Sequence, residues 1–341
     1  MIKISLMLLI SNFFLLINFK KFSSLIKIYD RPDNILKKHK SNVPLLGGII
    51  LVINLLIYLF FLSFFEISFE NLELSNREIF SAIFLVSSFF FLGLYDDKFK
   101  LSPNKKFLLS IIISLTVIYV NDNLLIQRIN FSFIDRNMFF ENFSYFFTLF
   151  CIVILINSLN FYDGINGQSL IFFITIFCYL SISSPLQEFY LILILICAFI
   201  LFLNLQNKIF LGDSGIYTLG SILVFLLIYE HNIFETIRFA DEIFLLLILP
   251  GIDLLRVSII RIINGKNAFY GDRNHIHHIL INKFSLLLTN IILFLLFIFP
   301  IIIFSFFKIN FFVIFSIFLF IYIFLIQFFN SNGQKYYNRK K

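Results

Sequence analysis

Long apolar runs alternate with short polar connections along the whole chain. A helix needs about 20 mostly apolar residues to cross the hydrocarbon core of a bilayer. That window marks about eleven segments, at 2–19, 44–65, 79–95, 107–120, 143–158, 169–183, 188–205, 216–230, 243–263, 285–307 and 311–329. The pattern predicts one all-α, polytopic integral membrane domain over residues 1–341, with about 10–11 transmembrane helices. The first segment lacks a small-residue cleavage site, which favours a retained helix over a signal peptide.

The composition supports a membrane protein and excludes several other classes. Of the 341 residues, 60% are hydrophobic and 14% are charged, whereas soluble domains are about 25% charged. The three cysteines lie in apolar runs and do not suggest a disulfide framework. The net charge of +7 has no soluble basic domain to carry it, so we expect no nucleic-acid partner.

The lysine and arginine residues predict the orientation, because they are enriched in cytoplasmic loops. One set of connections lies at 20–43, 96–106, 159–168, 206–215 and 264–284. With Arg261 at the rim of the last connection and the tail from residue 330, this set holds 20 of the 27 basic residues. We therefore expect these loops and the C-terminus in the cytoplasm and the N-terminus in the periplasm.

The polar motifs of the chain all fall on this predicted cytoplasmic side. They are KKHKSNVPLLGG, YDDKFKLSPNKK, NSLNFYDGINGQ, FLGDSG and INGKNAFYGDRNHIHH. Carboxylates that lie close together need a cation between them, or one of them must be protonated. Hard oxygen ligands select Mg²⁺ or Mn²⁺, and lysine and arginine side chains bind phosphates. This combination at a membrane surface predicts phosphoryl-group transfer to a lipid.

Each motif taken singly has a simpler interpretation. Paired aspartates at a helix end are usually solvated, GDSG is a common turn, and HIHH could bind Zn²⁺. A transporter would carry ionisable residues in mid-membrane. The two ionisable residues well inside a predicted span are Asp253 and Arg256, which lie three apart on one helical face and are expected to form an ion pair. A CDP-alcohol phosphatidyltransferase would need a denser aspartate pattern, and a non-catalytic homologue would not need the acids. The co-occurrence of five motifs on one side favours an enzyme.

Together these motifs, from about residue 37 to 281, resemble the polyprenyl-phosphate N-acetylhexosamine-1-phosphate transferases of glycosyltransferase family 4. This family includes phospho-N-acetylmuramoyl-pentapeptide transferase. The resemblance implies transfer of a sugar 1-phosphate from a UDP-amino sugar to undecaprenyl phosphate or a related lipid, with release of UMP. It also implies a Mg²⁺ cofactor, with Mn²⁺ as a substitute, a homodimer and a location in the bacterial inner membrane.

The resemblance also implies roles for individual residues. Asp96, Asp97, Asp213 and His277 are the predicted catalytic residues, and Asp97 and Asp213 are the predicted metal ligands. The predicted substrate-binding residues are Lys40, Lys106, Asn160, Asp163, Asn166, Arg273, His275 and His278. Direct attack by the lipid phosphate and a phospho-aspartyl intermediate both remain open at this stage, as does the identity of the aspartate that acts as the base.

The details of the motifs narrow the branch of the family. The peptidoglycan branch carries three consecutive histidines, whereas this chain has His-Ile-His-His after GDR, similar to the branch that acts on UDP-GlcNAc and related amino sugars. That branch starts O-antigen, capsule or teichoic acid synthesis. Three positions depart from the family pattern: Asn166 replaces an aspartate, Gln168 a leucine, and Ile216 a serine.

Overall fold

The computed structural model describes residues 2–32, 42–64, 74–268 and 273–338, with side chains up to residue 329 except those of residues 2 and 135. The helices in this part of the chain are α1 (Ile2–Ile17), α2 (Phe19–Ile26), α3 (Gly47–Phe64), α4 (Asn76–Phe99), α5 (Pro103–Val120), α6 (Ser144–Tyr162), α7 (Gln168–Ser181), α8 (Gln187–Leu205), α9 (Gly212–Asn232), α10 (Ala240–Leu246), α11 (Ile248–Ile263), α12 (Ile276–Ile281), α13 (Leu286–Phe307) and α14 (Phe311–Asn338). The strands are β1 (Tyr29–Asp30), β2 (Val43–Pro44), β3 (Arg128–Phe131) and β4 (Ile134–Phe139), and they form two antiparallel pairs, β1 with β2 and β3 with β4.

The prediction of an all-α polytopic membrane protein is confirmed. Among the described residues, 8 helices are long and apolar enough to cross a membrane, or up to 10 if each of two bent pairs is one span. The bends are 77° between α1 and α2 and 74° between α10 and α11. The predicted span 169–183 corresponds to α7, whose 14 residues extend only about 21 Å. This length is short of the roughly 30 Å hydrocarbon core.

Helix α9 is the centre of the bundle. It packs against α3, α4 and α6, and 89% of its 18-residue apolar window is buried, against 17–44% in the other seven candidate spans. Its sequence explains this position, because small and mostly apolar residues occupy every side of the helix over residues 214–228 and leave no polar face for water. The polar residues that remain on it, such as Thr218 and Ser221, donate to carbonyl groups of their own helix.

The far end of α9, remote from the polar motifs, ends in a separate buried polar group. The carboxylate of Glu230 is fully buried and accepts hydrogen bonds from Tyr190, at 2.7 Å, and from the hydroxyl groups of Ser184 and Thr236. These contacts fasten the connections that precede α8 and follow α9. Buried polar groups are normally hydrogen-bonded, and these donors account for the burial of Glu230 at this end of the bundle.

Candidate active site

The N-terminus of α9 carries the motif FLGDSG and is capped by a side chain from α4. Asp97 accepts hydrogen bonds from the backbone N–H groups of Asp213, at 2.8 Å, and Ser214, at 3.0 Å, one on each carboxylate oxygen. The first N–H groups of a helix have no partner within the helix, and its N-terminal end is electropositive. Asp97 therefore caps the N-terminal turn of α9, which carries Asp213.

Two further carboxylates at this end face a single lysine. The ammonium group of Lys106, on α5, contacts the carboxylates of both Asp96 and Asp213, and its distance to the Oδ2 atom of Asp213 is 2.8 Å. The other oxygen of Asp96 accepts the backbone N–H of Leu101 at 2.6 Å. The turn between α4 and α5 is short, so Lys106 on α5 lies close to Asp96 at the end of α4. This geometry explains why the motif KLSPNKK follows the paired aspartates closely in the sequence. The three predicted residues form one cluster of acids around a cation.

Glycines allow the neighbouring helices to approach this end of α9. A Cβ atom placed on Gly93 of α4 would lie 2.4 Å from the carbonyl oxygen of Asp213, and one on Gly48 of α3 would lie 2.4 Å from the backbone nitrogen of Gly215. Real Cβ contacts are not this short, so both positions require glycine as the backbone stands. The close approach places the carboxylates of α4 beside the first turn of α9.

The loop after α6 lies next to this cluster and follows the polar motif NFYDGINGQ. Asp163 is the C-terminal cap of α6, and its pKa is raised to about 6 by burial and also by the negative charge of Asp213. Asn166 makes structural contacts instead, because its side-chain amide donates to the carbonyl oxygen of Asn204, at 3.1 Å, and to the side chain of Asn207, at 2.7 Å. Its role in substrate binding thus stays a prediction, while its anchoring role is visible.

The histidine motif forms α12 and the turn before it, and its rings are stacked. His275 and His277 lie with ring centroids 5.5 Å apart and planes within 2°, and His278 lies 4.2 Å from His277. The Nδ1 atom of His277 accepts from the side-chain amide of Gln168 at 3.3 Å. Burial lowers the pKa of His277 well below its usual value, and positive charge at His278 and Arg273 lowers it further. We infer a neutral ring with its proton on Nε2.

The structure brings most of the predicted site residues to one end of the bundle. Besides the acids and histidines, Asn160 lies on the last turns of α6, half-buried, and Arg273 lies at the start of the histidine motif. Lys40 falls outside the described residues. The ion pair predicted between Asp253 and Arg256 is confirmed, with the guanidinium nitrogen 2.7 Å from the carboxylate.

Four residues that sequence reasoning gave no role in the site support the histidine motif. Arg261 of α11 contacts His275 and the carbonyl oxygen of Ala268, and its guanidinium lies 5.2 Å from the ring of Phe161. Tyr322 of α14 donates to Asp253, which itself holds His275. The sequence signal for this support was weak. Asp253 and Arg256 lie three residues apart on one helix, and such a pair normally contacts only its own helix.

The arrangement of acids bears on the predicted divalent cation. In the described residues no group of three or more histidine, cysteine, aspartate or glutamate side chains has a metal-binding arrangement. Two carboxylates are nevertheless sufficient for Mg²⁺ when substrate phosphates and water supply the other oxygens. Asp96 and Asp213 converge on one ammonium group, so both carboxylates reach the same positive charge. The donor set therefore fits a Mg²⁺ ion shared with a phosphorylated substrate.

Comparison with known proteins shows which family the chain resembles. The model of glycosyl transferase family 4 matches residues 79–231, which include Asp96, Asp97, Asp163 and Asp213. The undecaprenyl-phosphate alpha-N-acetylglucosaminyl 1-phosphate transferase of Escherichia coli O157:H7 is 26% identical over 280 residues, covering 76% of this chain and 71% of that enzyme. Proteins of the same name from Salmonella typhimurium (strain LT2) and Haemophilus influenzae are 27% and 24% identical, covering 76% and 79% of this chain and 71% and 76% of their own lengths. The relatives extend the similarity over most of the chain, and the chain is similar to the proteins of glycosyl transferase family 4.

Proposed function

We propose that the protein transfers an N-acetylhexosamine 1-phosphate, such as GlcNAc 1-phosphate, from a UDP-sugar to undecaprenyl phosphate. The observation that carries the proposal is the pair of carboxylates, Asp96 and Asp213, around Lys106 at the N-terminus of α9. The names of the relatives supply the lipid acceptor and the sugar. The reaction would be the first membrane step of a cell-surface glycan pathway such as O-antigen, capsule or teichoic acid synthesis.

In the proposed reaction an oxygen of the lipid phosphate attacks the β-phosphorus of the UDP-sugar. A new P–O–P bond forms, the bond between the α- and β-phosphates breaks, and UMP leaves. We propose direct attack, with either Asp96 or Asp97 positioning the lipid phosphate or accepting its proton. Lys106 would offset negative charge on the phosphate oxygens, since phosphoryl transfer depends mainly on positioning and electrostatic stabilisation.

We propose that Mg²⁺ is the cofactor, with Mn²⁺ as a substitute, and that Asp213 holds it. We propose Asp96 as the second ligand, because Asp97 already accepts a backbone N–H group on each carboxylate oxygen. If Asp97 binds the ion, as the sequence predicts, it would use the lone pairs that remain on these oxygens. When bound, the ion would neutralise charge on the diphosphate and the leaving group. Arg273, Asp163 and His278 line the same end of the bundle and would contact the UDP-sugar.

The experiment is a UMP-release assay on the purified full-length protein in detergent, with undecaprenyl phosphate and Mg²⁺. UDP-GlcNAc and other UDP-amino sugars are offered separately, and EDTA is added in parallel. We expect UMP from one donor, its loss with EDTA, and at least a 100-fold loss of turnover in Asp213→Asn, because the charge that holds the cation and Lys106 is removed. The matched control is Asp122→Asn, an exposed acid paired with Arg77 in the connection between α5 and β3.

Two results would contradict the proposal. Wild-type turnover in folded Asp213→Asn would remove Asp213 from the mechanism. No UMP from any donor, in protein with a cooperative thermal transition, would favour the transport or non-catalytic alternatives instead.

A further inference from the structure

Asp253 forms the centre of a buried polar network that the reaction above does not use. It lies on α11, is 1% exposed, and accepts hydrogen bonds from four groups. These are Arg256 at 2.7 Å, Tyr322 Oη at 2.6 Å, His275 Nδ1 at 2.7 Å and the backbone N–H of Ile276 at 3.2 Å. The network therefore joins α11, α14 and the first turn of α12.

His275 has no ring nitrogen left for a substrate. Its Nδ1 atom bonds Asp253, and its Nε2 atom lies 3.3 Å from a guanidinium nitrogen of Arg261. A guanidinium group can only donate, so Nε2 accepts and the ring proton is on Nδ1. The ring is 3% exposed and stacks on Phe161 at 5.8 Å, which joins it to the end of α6.

His277, in contrast, has a ring nitrogen without a hydrogen-bond partner in the described part of the chain. Its ring stacks in parallel on that of His275, and this nitrogen, Nε2, is buried. That atom faces the loop after α6, because a Cβ placed on Gly164 would lie 1.8 Å from it. A buried donor without a partner is costly, so the surroundings must impose its position.

We propose that Asp253 is a positioning residue: by holding His275 and the N–H of Ile276, it fixes α12 so that Nε2 of His277 is presented beside the Asp163–Gly164 loop. Asp253 acts only through His275 and does not touch a substrate, and Tyr322 and Arg256 are further donors to its carboxylate. The inference reassigns His275 from substrate binding to support. The expected effect of Asp253 on catalysis rests on the proposed function, whereas its effect on the docking of α12 does not.

The catalytic test compares Asp253→Asn, His275→Leu and the double variant with wild type, using kcat and KM for the UDP-sugar per folded molecule. We expect each single variant to lower kcat by about 10- to 100-fold, because a small misplacement of a catalytic group has effects of this size. In the double variant the Asp253→Asn change should add nothing, since residues that act in series are not additive. His275→Asn, which keeps a donor near the Nδ1 position, should recover part of kcat.

Tyr322→Phe is the matched control. It removes one hydrogen bond from Asp253 but leaves the His275 contact, so we expect a lower thermal midpoint with kcat within about twofold of wild type. If Asp253→Asn lowers only the thermal midpoint, or if its effect on kcat is fully additive with that of His275→Leu, the positioning role is refuted and the network is only structural.

A second measurement does not depend on activity. Ile276 is fully buried, so Ile276→Cys, in a chain whose three native cysteines are alanine, should react slowly with a maleimide. Adding Asp253→Asn or His275→Leu should raise the rate at least tenfold, whereas adding Tyr322→Phe should not. Unchanged labelling with both variants would overturn the proposal. If wild type releases no UMP, the proposed function fails, but the labelling rates still decide whether Asp253 docks α12.

Discussion

At the scale of single residues, the main feature of the site is the close placement of three negatively charged side chains. Asp96, Asp97 and Asp213 lie close together, and each carboxylate has a positively polarised partner. Asp97 accepts two backbone N–H groups at the N-terminus of α9, whereas Asp96 and Asp213 share Lys106. Because carboxylates in a partly buried site repel one another, the lysine and the helix end make the arrangement stable before any substrate binds.

Replacing Lys106 tests this account. In Lys106→Met the carboxylates of Asp96 and Asp213 lose their shared cation, so we expect turnover to fall by about 100-fold and the Mg²⁺ concentration for half-maximal rate to fall, since the unpaired acids attract the ion more strongly. Lys106→Arg should keep part of the rate. The measurement is UMP release over a Mg²⁺ titration.

The matched control for that change is Lys105→Met. Lys105 is the preceding residue on α5, and its side chain is exposed. It should keep wild-type turnover and the wild-type Mg²⁺ dependence. Equal behaviour of the two methionine variants would show that position 106 has no special electrostatic role.

At the scale of elements, the site depends on how closely three helices approach. Gly48 of α3 and Gly93 of α4 contact the first turn of α9 at distances that leave no room for a side chain. In a membrane, small residues at helix contacts allow this approach, and packing replaces the hydrophobic effect as the main source of stability. The glycines therefore decide whether the acids of α4 reach α9.

Gly93→Ala tests whether close helix packing, rather than helix propensity, determines the effect of this glycine on stability. The added methyl would meet the backbone of Asp213 and Ser214, so we expect a lower thermal midpoint and at least a tenfold loss of UMP release. Gly251→Ala on α11 is the control, because no atom lies within 4 Å of its new Cβ and alanine favours a helix by about 1 kcal/mol. A midpoint for Gly93→Ala at or above that of Gly251→Ala would contradict the close-packing account.

At the scale of the whole molecule, the chain gathers its polar motifs at one end of an apolar bundle. The contacts of Lys106 with Asp213 span 107 positions of the sequence, and those of Asp97 with Ser214 span 117. The opposite end holds Glu230 and the strands β3 and β4. This separation of ends suits an enzyme that meets a water-soluble donor on one face only.

The distribution of basic residues predicts that the site end faces the cytoplasm. Cysteine placed at Lys266, which is exposed beyond α11, should be protected from a membrane-impermeant maleimide in intact cells. Cysteine placed at Asp122, exposed at the other end, should react, and both should react after the membrane is made permeable. The reverse pattern would contradict the cytoplasmic location of the site.

Local features of the sequence determined the class of protein and the residues worth attention. Span length, basic-residue bias and the order of the five motifs are properties of short windows, so they predicted the helices, the common side of the loops and the family. The same windows did not show that α7 is short or that α10 and α11 meet at 74°, because apolar length alone reports neither feature.

Only the tertiary structure decided which partner each polar group has. The cap that Asp97 provides for α9, the sharing of Lys106 by two acids, and the network of Asp253, His275 and Tyr322 join residues far apart in the chain. Hydrogen bonds require distances of about 3 Å, and no local period or propensity reports such distances. The sequence therefore determined the chemistry available to this protein, and helix packing determined which groups can act on a substrate and which only hold them in place.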